Sequence, residues 1–387
     1  MNWNQDRIQK ILDETVGRQE AAGVSVLLCQ GGTEAGYAAS GYADIGSRTP
    51  IRRNTIFRMY SMTKPLIGFA AMRLWEEGRI DLLSPVSMYL PEYQFLTAGD
   101  RREPIRRQLN LHQLLSMTSG LTYGGTGCVN ETETQKLLDD LEDAAESTAQ
   151  VSTREVARRL AAVPLKFCPG THWQYGMSAD VLGAVLEQAA DMPLRELMQK
   201  EVFVPLGMQD TDFYVPAEKQ ERLASAYTKK QNRLEKYTDN HLGIANHMRE
   251  IPAFCSGGAG LVSTMDDYRN FAGMLLNHGV FNGYQLLKES TLRYFTGTVQ
   301  TAPLAAEMPA VFDWMCGYNY GNLMRCCTGP QEAAMLSNKG EYGWDGWLGS
   351  VFINDPATAT TLLLMMQQTD AGFNECARRV KNFIWRS

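Results

Sequence analysis

The run Ile56-Phe57-Arg58-Met59-Tyr60-Ser61-Met62-Thr63-Lys64-Pro65-Leu66-Ile67-Gly68-Phe69-Ala70-Ala71-Met72 passes from an apolar extended piece, through a polar break, into an apolar segment with helical spacing. It predicts a helix with Ser61 at its N-terminus and Lys64 one turn later. Residues three apart share a helix face, so the hydroxyl and the amine can meet. A serine hydroxyl becomes a nucleophile when a base takes its proton, and an amine is such a base only when neutral. The positive end of a helix disfavours an ammonium. The plain alternative is an N-cap serine and a first-turn lysine, since S-x-x-K by itself is a weak signal. Among all the serines, however, only Ser61 has a lysine three residues on.

Composition bounds what surrounds this pair. The chain has 387 residues, 44% of them hydrophobic and 21% charged, enough for a sizeable core and two or three structural units. A net charge of -6 gives no electrostatic footprint for nucleic acid. The start, Met1-Asn2-Trp3-Asn4-Gln5-Asp6-Arg7, has no apolar signal region. The apolar stretch Leu362-Leu363-Leu364-Met365-Met366 is far too short to span a bilayer. A soluble cytoplasmic protein is the expectation, with no membrane partner. Eight scattered cysteines without a CxxC pair read as reduced, mostly buried thiols, and five histidines without metal spacing predict no metal site.

Working outward, residues 3–21 read as an amphipathic helix with Ile8, Ile11, Leu12 and Val16 on one face. The run 24–29 reads as a strand, Gly31-Gly32 as a turn, and 36–42 as its hairpin partner. The helix after Ser61 should reach about Glu77, capped by Gly78. Further helices are expected at 111–120, 131–147, 156–163, at 178–190 with Ser178 as cap, at 194–203, and at 266–277 behind Thr264. The basic cluster Arg101 to Arg107 reads as a solvated loop. Strands at 349–354 and 360–366 and a closing helix from Glu375 to Trp385 end the chain.

Other catalytic arrangements fit less well. There is no G-x-S-x-G elbow, because Gly176-Met177-Ser178-Ala179-Asp180 misses at its last position. His112 and His172 lack the context of a triad base. A Ser-Lys pair needs a group to relay its proton and donors for the oxyanion. Tyr175, in a loop feeding a helix, is the candidate relay, and burial beside a lysine ammonium is expected to favour its phenolate. A backbone N–H within Gly343-Trp344-Asp345-Gly346-Trp347-Leu348-Gly349-Ser350 is the candidate second oxyanion donor, its glycines permitting close approach to a ligand.

These residues carry a resemblance. The chain resembles the serine β-lactamase-like superfamily, in particular class C β-lactamases, D-alanyl-D-alanine carboxypeptidases and family VIII carboxylesterases. It does so from about Val24 to Ile384, through motifs in matching order: the Ser61–Lys64 helix, 75–82, 85–91, Leu114 to Leu121, Pro169 to Tyr175 with 180–183, 205–208, 256–261 and 344–346. The resemblance implies an α+β fold, an antiparallel sheet flanked by the N- and C-terminal helices plus a mostly helical domain. The sheet domain would comprise 1–80 and 255–387, the helical domain 81–254, with the active site between them. Ser61 would be acylated, Lys64 and Tyr175 would share base and acid duties, and the N–H groups of Ser61 and Trp347 would form the oxyanion hole. No cofactor or metal is implied.

Two departures bear on substrate. Met177 stands where Y-x-N members have asparagine, and Trp344-Asp345-Gly346 stands where K-T-G or H-x-G is common. A lysine and threonine there would grip a carboxylate, whereas an aspartate repels one. The expected activity is therefore a carboxylesterase on small acyl esters, with Trp344, Asp345, Gly346 and Met177 contacting substrate. Asp345, taken as an exposed carboxylate at the cleft edge, would attract a cationic group. The alternatives within the fold are a β-lactamase, a D-aminopeptidase or amidase, and an acyltransferase. The alternative of another class is an inactive binding homologue.

Overall fold

A computed structural model describes residues 3–386. Its centre is an eight-stranded antiparallel sheet. The strands are β1 (Gly23–Gln30), β2 (Thr33–Asp44), β3 (Thr49–Pro50), β4 (Tyr318–Gly321), β5 (Met324–Cys327), β6 (Tyr342–Asp345), β7 (Val351–Asp355) and β8 (Thr360–Met366), in the order β4-β5-β6-β7-β8-β1-β2-β3. The first and last thirds of the sequence thus meet in mid-sheet, where Val24 pairs with Met366 and Cys29 with Thr361. β7 and β8 are buried at every position, so both faces of the sheet are covered there, which explains their nearly unbroken apolar runs.

The helices that matter for the site are α1 (Gln5–Gly17), α2 (Thr63–Glu76), α3 (Val129–Ala144), α4 (Ser178–Ala190), α5 (Met265–Leu276) and α6 (Glu375–Trp385). α1 packs on β2 and on α6, while α5 packs on β7 and β8. The terminal helices therefore flank the sheet, as the resemblance implies. Residues 81–254 add no strand to this sheet; they supply helices and two small strand pairs. One hydrophobic core runs from α1 and the sheet through α2 to α4.

α2 is the central helix. Every residue from Thr63 to Met72 is buried, so its apolar character continues around the whole circumference. A short 3₁₀ turn, Tyr60–Met62, leads into it. Gly78, with φ +72°, turns the chain after it. Two expectations need correction. Ser178 does not cap α4 but is its first residue, and its buried Oγ lies 2.7 Å from Ser119 Oγ. The helix expected at 111–120 covers only Leu111–Leu115, because Met117 and Gly120 take positive φ (+57° and +86°).

Segment 212–254 is fastened to the sheet body by a buried cation. Arg58 donates to the carbonyls of Asn246 and Ala224 and to Gln367 Oε1, all neutral acceptors. Burial lowers its pKa to about 10. Arg58→Met would strand those carbonyls without donors, and should lower unfolding free energy by about 2–4 kcal/mol in chemical denaturation.

Candidate active site

Ser61 sits in the 3₁₀ turn before α2 and lines a cavity of about 830 Å³. Tyr60, immediately before it, is buried with φ +44°, a left-handed conformation that costs free energy in a non-glycine residue. The first bond of the turn runs from Met62 N–H to Met59 O, so the Ser61 N–H precedes the helical ladder.

Lys64 is fully buried. Its Nζ contacts Ser61 Oγ at 3.1 Å, the Tyr123 hydroxyl at 2.9 Å and the Gly258 carbonyl at 2.9 Å. Burial lowers its pKa to about 7, against an opposing pull from Asp180 and Asp345. A neutral amine in this position can donate to Gly258 and Tyr123 and turn its lone pair to the Ser61 proton. Burial thus supplies what the helix-end argument sought.

Asp180, in the first turn of α4, fixes the carbonyl side. Its Oδ1 accepts from Ser256 Oγ at 2.5 Å and from the Gly258 N–H at 3.0 Å. Gly257 passes so close to α4 that a Cβ there would lie 2.4 Å from the Ala179 carbonyl. The glycine-rich run 256–260 thus packs around a buried carboxylate.

Tyr175 joins Ser61 and Lys64. Its hydroxyl accepts from Trp344 Nε1 at 3.0 Å, and Tyr175 and Ser61 line the same cavity. Its ring centroid lies 4.6 Å from Lys64 Nζ. The expected phenolate is not supported, because burial pushes the phenol far above its ordinary range, and Asp345 and Asp180 add to that push. Tyr175 is a neutral phenol, and Lys64 is the group poised near neutral pH.

Tyr123 is a candidate site residue that sequence reasoning missed: it contacts Lys64 Nζ and lines the cavity. Burial also keeps it neutral, and its ring lies 5.7 Å from that of Tyr175. Gly176 makes this approach possible, since a Cβ there would lie 2.3 Å from the Leu121 carbonyl. The available signal was position: Tyr123 comes two residues after the segment Leu114 to Leu121 and leads into Gly124-Gly125.

The substrate-contact expectations divide. Trp344 and Asp345 line the cavity. Asp345 is not exposed; it is 8% accessible and paired with the buried Arg325 at 3.2 Å. Burial raises its pKa to about 6, and Arg325 limits the rise. Arg325 neutralises it from behind, which removes the argument for Asp345 as a free cation trap. Met177 is buried in the core and Gly346 does not line the cavity either. A Cβ at Gly346 would lie 2.4 Å from the Met59 carbonyl, so its close approach is to the chain itself. Trp347 lines the cavity. It is the second residue of a turn in which Gly349 N–H donates to the Gly346 carbonyl at 2.8 Å, a position whose own N–H the turn leaves free. Among the described residues no cluster suited to a metal ion occurs, and no helix is long and apolar enough to cross a membrane.

Comparison with known proteins decides the family. The Beta-lactamase family model matches residues 8–383. This chain belongs to the Beta-lactamase family. Esterase EstB of Burkholderia gladioli is 30% identical over 384 residues, covering 95% of this chain and 91% of EstB. The structure of EstCE1, a hydrolase with promiscuous acyltransferase activity, superposes with a TM-score of 0.83 at 26% identity over 98% of both chains. Simvastatin synthase LovD of Aspergillus terreus shares the fold, with a TM-score of 0.78 at 20% identity over 98% of this chain and 96% of LovD. The family member described here is a serine hydrolase of the β-lactamase fold.

The Asp180 charge holds up the pKa of Lys64 from one side. Asp180→Asn should therefore move the Lys64 midpoint below its value of about 7. Titration of the lysine side chain by NMR checks both the direction and the residue.

Proposed function

We propose that this protein is a carboxylesterase that acts on small acyl esters through an acyl-enzyme on Ser61. The observation that carries the reading is the Ser61–Lys64 contact inside a cavity without a carboxylate grip. The amine, uncharged above about pH 7, takes the Ser61 proton as Oγ attacks the ester carbonyl. The backbone N–H groups of Ser61 and Trp347 receive the oxyanion. Tyr175 gives its phenolic proton to the leaving alkoxide and takes one from the Lys64 ammonium. Tyr123 and Gly258 hold the amine in place throughout. Water then attacks the acyl-enzyme by the same sequence, and an alcohol in its place would give acyl transfer, as the similarity to EstCE1 suggests.

Charge favours esters over β-lactams and C-terminal peptides. Besides Asp345, which Arg325 neutralises, Glu142, Asp313, Asp370 and Glu375 line the cavity, against Arg378 as its one Lys or Arg side chain. A substrate carboxylate meets repulsion there. Aromatic rings of Phe312, Trp314, Trp344, Trp347 and Phe373 supply apolar walls for an acyl or alcohol group. The sheet-bearing parts, 1–80 and 255–387, would form one functional half and 81–254 the other, with substrate held between them.

Incubation with short-chain aryl esters, a cephalosporin and a D-alanyl peptide tests the reading. Turnover of the esters with a mass-detectable acyl adduct on Ser61 is expected, and Ser61→Ala should lose more than about 10³-fold in kcat. Ester turnover that survives Ser61→Ala would sink the reading. Lys64→Ala should cost about 10²–10⁴-fold and Tyr123→Phe less, about tenfold. Because the neutral amine is the active form, kcat/KM should fall about tenfold per pH unit below a midpoint near 7.

A further inference from the structure

The segment His241–Ile244 is a small rigid device beside the oxyanion side of the cavity. His241 and Ile244 exchange backbone hydrogen bonds of 3.2 and 3.0 Å. Leu242 and Gly243 between them have φ +55° and +73°, the signs of a two-residue type I′ turn. The turn is docked on α3. Leu242 N–H donates to Glu142 Oε1 at 2.7 Å, and Asn240 Nδ2 donates to the Glu142 carbonyl at 3.2 Å. Gly243 lies so near α3 that a Cβ would be 3.0 Å from Leu141 Cβ.

This turn presents the His241 ring to Trp347. The ring centroids are 4.1 Å apart with planes 32° from parallel. Tyr60 meets the indole at 4.9 Å, Tyr237 at 5.5 Å, and Trp347 Nε1 donates to Asp370 Oδ1 at 2.8 Å. Tyr60 is the residue before Ser61. The two N–H groups assigned to the oxyanion therefore adjoin one aromatic cluster. The turn bearing Trp347 is tied on its carbonyl side, where Ala371 N–H donates to the Trp347 carbonyl at 3.1 Å and Gln368 N–H to the Leu348 carbonyl at 3.0 Å, while the contacts around the indole hold the side chain of the same residue.

We propose that His241, held by the Glu142–Leu242 hydrogen bond, is a positioning residue that fixes the Trp347 peptide so that its N–H meets the oxyanion together with that of Ser61. The inference rests on the acyl-enzyme reading above. His241 acts as a neutral ring, since burial lowers its pKa to about 4. Its contribution is a stacking face, which phenylalanine can replace and alanine cannot.

The test compares wild type, His241→Ala, His241→Phe and Glu142→Ala on a neutral aryl ester and on the matching thionoester. Sulfur accepts the oxyanion hydrogen bonds poorly, so the oxygen-to-sulfur rate ratio reports on the hole itself. His241→Ala should lower kcat about 10- to 100-fold, with KM within about threefold and the rate ratio down about tenfold. Glu142→Ala should change the same quantities in the same direction, and His241→Phe should stay within about threefold of wild type in all of them. A wild-type ratio in His241→Ala, or a phenylalanine variant as impaired as the alanine one, overturns the proposal. If His241→Ala does not fold, shown by loss of its thermal transition, the Glu142→Ala ratio decides alone, a wild-type value overturning the proposal. Failure of the underlying reading looks different: wild type then forms no Ser61 adduct, and the positioning role falls with it.

Discussion

The constraint on which the site depends is the burial of one amine. Lys64 lies in the first turn of a helix whose residues 63–72 are all buried. A charged ammonium there bears a desolvation cost of several kcal/mol, which the protein can meet with charges or avoid by neutralisation. It does some of each. Asp180 and Asp345 favour the ammonium, and burial outweighs them, leaving a pKa of about 7. The amine also needs hydrogen-bond partners, and these come from three separate places: Ser61, Tyr123 after the segment 114–121, and Gly258 in the glycine-rich run 256–260. The loops that meet at Lys64 are organised by that need.

Meeting at one atom forces backbones together, and the glycines mark where. Gly176 lies against Leu121, Gly257 against Ala179, and Gly346 against Met59, each with less than 2.5 Å between a notional Cβ and a carbonyl oxygen. Each contact joins a site-bearing segment to its neighbour: the two tyrosine loops, the Gly258 loop with α4, and the Trp347 turn with the chain before Ser61. A side chain at any of them would push apart the pair of elements whose spacing the chemistry uses. These glycines serve the protein's own packing, and substrate approach follows from it.

This distinction also marks what the sequence could and could not tell. α2, the β1 and β8 runs and α6 were legible because their apolar spacing is a local property. That Ser61, Lys64 and Tyr175 would come together was legible because they sit in ordered motifs. Asp345 was misread because its exposure is set by Arg325, which the register brings alongside by pairing Arg325 with Gly343. Nothing near Asp345 in sequence announces that partner. The phenolate expectation for Tyr175 failed for a similar reason. It assumed a fully charged lysine, while burial acts on both groups, lowering the pKa of the amine to about 7 and pushing that of the phenol up. Tyr123 and His241 were invisible because each lies in a loop without periodicity, and only the folded chain shows what they touch.

The Arg325–Asp345 pair shows how the same chemistry is turned toward a different substrate. Members with lysine and threonine at this strand end present a cation to the cavity. Here the strand presents an indole that binds Tyr175 and a carboxylate neutralised from behind. The charge felt by a ligand then comes mainly from Glu142, Asp313 and Asp370, which stand on α3, on the 312–314 segment and after β8. These lie on segments outside the strand that carries Trp344. Preference is thus separable from catalysis: the buried amine, its two tyrosines and the Ser61 turn can stay fixed while the walls change. The aromatic cluster around Trp347 is where the two overlap, because the residue that walls the cavity also carries the peptide N–H proposed for the oxyanion hole. A wall substitution there would alter rate and preference together, whereas one at Asp313 would alter preference alone.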